Sequence, residues 1–108
     1  MSTRDDFAFT LGETWTYVVT CTDVDGNAVN PVTADFKIKD LFGNTVITLT
    51  QASGIVVAGN VCTITIATGS QSGFTSQVYR HRLKVTDSGG ATSRQTNGFI
   101  TVMPADDD

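Results

Sequence analysis

From Trp15 to Cys21 apolar side chains recur at every second position, as Trp15, Tyr17, Val19 and Cys21. Threonine fills most of the places around them, at Thr14, Thr16, Thr20 and Thr22. A period of two over that length is the mark of a half-buried β-strand. The rhythm returns with Ala34, Phe36 and Ile38 against Asp35, Lys37 and Lys39. It returns again with Cys62, Ile64 and Ile66 against Val61, Thr63 and Thr65, and with Tyr79, His81, Leu83 and Val85 against Arg80, Arg82, Lys84 and Thr86. Residues 7–10, 45–50, 55–57, 91–96 and 98–103 read as further short strands. The polar stretch 68–76 reads as a connection with room for one helical turn. Nowhere does a helical period appear.

Turn residues punctuate these runs. Asp25-Gly26-Asn27, Gly43-Asn44, Gly59-Asn60 and Ser88-Gly89-Gly90 supply the positive φ that tight hairpins need. Pro31 closes the loop over 23–33 because it cannot donate to a central ladder. Gly12 allows a bulge or corner, and Gly98 opens the last strand. Seven to nine short strands predict an all-β chain, an immunoglobulin-like antiparallel β-sandwich, with a small β-barrel as the alternative. Trp15, Phe36, Ile38, Ile64, Leu83 and Val85 are the expected filling between two sheets.

With 108 residues the chain has room for one core, so residues 1–104 are expected to form a single domain. Residues 105–108 follow as a loose acidic tail carrying Asp106, Asp107 and Asp108. Charged residues are only 17%, and 18 threonines occupy much of the surface they would otherwise take. A threonine surface is cheaper to desolvate than a charged one, which suits packing against a partner. A net charge of −4 argues against nucleic acid or anionic lipid as partners.

No run approaches the roughly 18–20 apolar residues that span a bilayer. The start, Met1 to Asp6, is polar with no apolar segment after it, so the reading is of a chain made in a cytoplasm without a secretory signal. Cys21 and Cys62 fall on the apolar phase of their strands and read as two buried, reduced thiols. An inter-sheet disulfide is the alternative.

Candidate chemistry is sparse. Asp23-Val24-Asp25-Gly26-Asn27 resembles a calcium loop, but its glycine comes at the fourth position and no glutamate closes it, so a β-turn is expected. His81 is the one histidine and lies mid-strand on the apolar phase, which predicts a core histidine and not a general base. Arg80, Arg82 and Lys84 form a basic ladder on the outer face of one strand. Binding of phosphate or nucleic acid is one reading of it. Pairing with acids such as Asp35, or an ionic contact in an assembly, is the other. No nucleophile elbow, P-loop or dinucleotide fingerprint is present. The expectation is a non-enzyme with no catalytic, cofactor-binding or metal residues and no small-molecule ligand.

Four stretches carry a family likeness: FAFTLGETWTYVVT (7–20), TDVDGNAVNPVTADFKIKD (22–40), GNVCTITI (59–66) and VYRHRLKVTDSGGATSRQTNGFITVMP (78–104). In this order they resemble the immunoglobulin-like module of tailed-bacteriophage and prophage virion proteins, of the kind found at the N-terminus of baseplate upper proteins. Glu13 stands where that pattern has aspartate, and Tyr79-Arg80-His81 where it has tyrosine and a second aromatic. The resemblance implies a virion structural protein of tail, baseplate or head, made in the bacterial host cytoplasm. It would dock onto other virion proteins, as a homo-oligomer within the assembly, through strands 7–10 or 91–96. A host-surface or carbohydrate-binding module is the alternative, with Phe42 and Phe74 as its loop aromatics.

Overall fold

A computed structural model of the chain describes residues 3–23, 25–51 and 53–104. The expected acidic tail, 105–108, lies outside the described residues. Among the described residues nine strands follow in order: β1 (Thr3–Arg4), β2 (Phe7–Thr10), β3 (Trp15–Thr20), β4 (Pro31–Lys39), β5 (Thr45–Gln51), β6 (Gly54–Ala58), β7 (Val61–Ile66), β8 (Val78–Asp87) and β9 (Thr92–Met103). One short 3-10 turn, Thr68–Ser70, falls inside the 68–76 connection.

The strands make two layers. One holds β6, β7 and β3; the other runs β5, β4, β8, β9, with β1 and β2 on the far side of β9. A two-residue parallel pairing, Thr50 with Gly54 and Gln51 with Ile55, links β5 to β6 and carries the chain between layers. The result is an immunoglobulin-like β-sandwich. Phe36, Ile38, Ile64, Leu83 and Val85 are buried between the layers as the alternation predicts, while Trp15 packs against the core half-buried. Burying one such side chain contributes about 1.5–3 kcal/mol, so this interior supplies most of the drive to fold.

Three features depart from the sequence reading. The sandwich is not wholly antiparallel: β1 and β2 both lie parallel to β9. Segments from opposite ends of a chain can pair either way, because no tight turn joins them. Pro31 opens β4 instead of closing the loop before it, and a register shift follows between Pro31 and Thr33. The first residue of a strand is a place where the missing N–H costs least.

Third, 92–103 is one strand, not two, and Gly98 lies inside it. Gly98 has φ of 153°, and a Cβ there would overlap the Asp5 carbonyl. The glycine lets the backbone between β1 and β2 cross directly over β9. That crossing is tied by Asp5 N–H to the Asn97 carbonyl at 2.8 Å and by Phe99 N–H to Asp6 Oδ1 at 3.0 Å.

Three of the turns share one construction. Asp23, Asp40 and Asp87 each accept, on one carboxylate oxygen, the N–H groups two and four residues ahead, at 2.9–3.0 Å. Three residues on stands Gly26, Gly43 or Gly90 with φ of 83°, 92° or 85°. The carboxylate satisfies the donors that the turn leaves free, and only glycine takes the positive φ without strain.

Candidate docking surface

Alternation along β4, β8 and β9 sends one phase of side chains into the core and the other to the outer face of the larger sheet. On that outer face Lys39 lies directly opposite Arg80, and Lys37 directly opposite Arg82. After a register shift at Leu83, Lys84 lies directly opposite Arg94. Arg4 on β1 extends the middle row, next to Asn97, which faces Arg82. The rows repeat every two residues, about 6.8 Å along the strands, and neighbours across strands stand roughly 4.5–5.5 Å apart at Cβ.

The chain has seven lysines and arginines in all. Six of them line a single depression of about 380 Å³ on this face, and the seventh, Lys84, lines the adjoining one. Among the described residues Asp35 is the one acid lining either depression. Its Oδ2 pairs with Arg82 Nη2 at 3.5 Å, so the expected cross-strand pairing is present. It leaves Arg82 Nη1 and Asp35 Oδ1 buried without hydrogen-bond partners among the described residues. The ladder read from Arg80, Arg82 and Lys84 is therefore one column of a larger cationic grid. Lys37 and Lys39 were legible as outward residues of their own strand. Their register against β8 was not.

The opposite layer has another character. Its outer face is built from three cross-strand rows: Thr16 with Thr65; Val18 with Thr63 and Val56; Thr20 with Val61 and Ala58. None of these eight side chains carries a charge, and Val18 and Val56 are 59% and 67% exposed. At its margin β3 has β7 as its sole strand partner among the described residues. The two strands favoured for contact from sequence lie elsewhere. β2 sits at the edge of the other layer against β9, and residues 92–96 pair with β8.

His81 is 3% exposed and ringed by Phe7, Tyr17 and Phe36. Its Nε2 lies 2.6 Å from the Asp5 carbonyl oxygen, which can only accept, so Nε2 carries the proton. Burial holds its pKa below the ordinary histidine value. It is the core histidine that its position predicts. The calcium-like loop is a hairpin turn whose Asp23 oxygen is occupied by backbone donors. Among the described residues no group of three histidine, cysteine or acidic side chains could hold a metal.

Cys21 and Cys62 are free and fully buried, with sulfurs 3.7 Å apart. They do not face each other across the sandwich. Cys62 is on β7, and Cys21 follows the end of β3 in the same layer, its N–H donating to the Asn60 carbonyl. The hydrogen bond with Cys62, together with burial, pushes the Cys21 thiol up. Phe74 belongs to the core, edge-on to Phe9 and Tyr79, so it cannot serve as an exposed loop aromatic. Phe42 is 90% exposed, beside Leu41 at the tip of the β4–β5 hairpin.

The chain matches no protein-family model and no curated protein. Among solved structures it is similar to the fibronectin(III)-like modules of CbhA from Clostridium thermocellum. The TM-score is 0.52 at 11% identity, over 97% of this chain and 94% of that one. It is also similar to CopC from Methylosinus trichosporium OB3b, with a TM-score of 0.47 at 18% identity, over 74% of this chain and 71% of that one. The first likeness, at that identity, shows the immunoglobulin-like sandwich and nothing finer.

Proposed function

We propose that the chain is a non-catalytic docking module, a structural component of a protein assembly of the virion type that its order of strands resembles. In this reading it acts in the virion of a tailed phage or prophage, after synthesis in the host cytoplasm. Its partners are other virion subunits, further copies of this chain among them. One observation supports the reading above the rest: the exterior is sorted by charge. Every lysine and arginine lines the depressions of one sheet, while the opposite sheet presents uncharged threonine, valine and alanine. An isolated soluble domain gains nothing from that sorting, since interspersed charge keeps a surface solvated. A module held between neighbours does gain. The Thr16–Val18–Thr20 face and its β3 margin can be buried without stripping water from an ion, and covering the margin removes an open strand edge.

The test is accessibility. Thr63→Cys places a thiol at the centre of the uncharged face, while the two native thiols stay buried. That thiol is expected to react freely in dilute protein and to become protected as concentration rises or as assembly proceeds. Equal reactivity at all concentrations and in the assembled particle would remove the reading. An adhesion module remains the second reading, favoured by the exposure of Phe42 beside Leu41. Binding of a glycan that Phe42→Ser abolishes would establish it.

A further inference from the structure

The cationic face is costly to the isolated fold. Like charges directly opposite on neighbouring strands destabilise a sheet, and here three such pairs lie side by side: Lys39 with Arg80, Lys37 with Arg82, and Lys84 with Arg94. One carboxylate, Asp35, answers them: it lies directly opposite Lys84 and pairs with Arg82, whose Nη1 is left without a partner among the described residues, while Lys39, Arg80, Lys37 and Arg94 have no acid directly opposite. A sheet that needed only to fold would place acids at some of these positions. The geometry points to an acidic polypeptide segment, laid along β8 in extended conformation, as the missing counter-charge: a binding site for a strand with carboxylates at alternate positions.

The spacing fits that occupant. Side chains at alternate positions of an extended strand stand about 6.8 Å apart, the same repeat as the rows of the grid. Each carboxylate would then meet a row of two cations and could accept charge-assisted hydrogen bonds from both. Threonines of β5 flank the rows, Thr45 beside Lys39 and Thr48 beside Lys37, and add neutral donors at the margin. A nucleic-acid strand offers anions at a comparable repeat but needs open rings for its bases. Phe99 is the one phenyl ring lining the depression, and the Arg4 guanidinium sits over it, 5.2 Å from its centre. The acidic peptide is the better match.

This inference names the partner of one face and rests on the docking reading. Its test uses the other face as little as possible. The probe is a short blocked peptide in which aspartate alternates with threonine, titrated into the full chain at low salt. It is expected to bind, and the double variant Lys39→Ser with Arg80→Ser is expected to weaken it about tenfold or more. Thermal melting of that variant is expected to stay level or rise, since a like-charge pair is gone. No binding at millimolar peptide overturns the proposal, and so does binding unchanged in the variant. Tighter binding of a short oligothymidylate than of the peptide overturns it too, by assigning the face to phosphate. Protection of the Thr63→Cys thiol on assembly, with no peptide binding, would retire this inference alone and leave the docking reading standing.

Discussion

The Nε2 of His81 lies 2.6 Å from the carbonyl oxygen of Asp5, and this contact joins the middle of β8 to the backbone between β1 and β2. Tyr17 adds to the junction by donating its hydroxyl to Asp5 Oδ2 at 2.5 Å. Burial is the main cause of the lowered His81 pKa, opposed by the Asp5 carbonyl and the charges of Asp5 and Asp6. The folded protein therefore keeps the ring neutral where the unfolded chain would protonate it. Stability from this group is complete above the ordinary value near 6.5 and declines as pH falls below it. Asp6, Asp23 and Asp40, held below the ordinary value of 3.8 chiefly by backbone N–H donors, lose theirs only as pH falls past that value. Melting temperature against pH is expected to fall in two stages. In His81→Gln the upper stage should vanish and the lower should remain. A single acid stage in the unsubstituted protein would contradict the assignment.

Gly98 is the other half of that junction. Gly98→Ala drives a methyl into the Asp5 carbonyl and must displace backbone, not a movable side chain. A loss of about 2–4 kcal/mol is expected from chemical denaturation, with faster hydrogen exchange at Asp5 and Phe99. Unchanged stability would mean that the crossing over β9 is not held as described.

Lys39→Glu should stabilise the fold. It turns a like-charge pair with Arg80 into an opposite-charge pair, worth about 0.2–1 kcal/mol in a sheet. The same substitution should abolish binding of the acidic peptide. A rise in stability together with a loss of binding is the signature of a site kept at the expense of the fold. A drop in stability would show that the cations of this face are not in conflict.

The two thiols give a test of the interior. Cys21 and Cys62 are fully buried with sulfurs 3.7 Å apart, so neither should react with a thiol reagent in the native state. Both should react at once on unfolding without reductant. Cys62→Ser puts a hydroxyl in the buried core with the weakly bonding Cys21 sulfur as its neighbour, and is expected to cost about 1–3 kcal/mol by denaturant titration. No reactive thiol after unfolding would mean that the pair is bridged.

Alternation made the fold legible because each long strand buries one face. Tyr79, His81, Leu83 and Val85 carry that signal without a break, and the same signal placed His81 in the core. Gly26, Gly43 and Gly90 carried three of the turns, since glycine takes their positive φ without strain, while the carboxylates of Asp23, Asp40 and Asp87 that close them were not read. What could not be read was anything set by register. Lys37 and Arg82 are 45 residues apart by their numbering, and nothing local says that they face each other. Gly98 looked like a strand boundary because its reason is another segment passing overhead, more than 90 positions earlier in the chain. Phe74 has the neighbours of a surface loop, and only the packing of Phe9 and Tyr79 draws it inward. The cationic grid was therefore visible as one column and became a surface only when three strands were laid side by side.

Sedimentation of the purified chain over a wide concentration range tests the central claim, that the charge-free sheet is a docking face, most directly. The chain is expected to associate as concentration rises, and Val18→Asp with Val56→Asp is expected to hold it monomeric with its melting temperature little changed. A chain that stays monomeric to millimolar concentration, or a double variant that associates as well as the original, would contradict it.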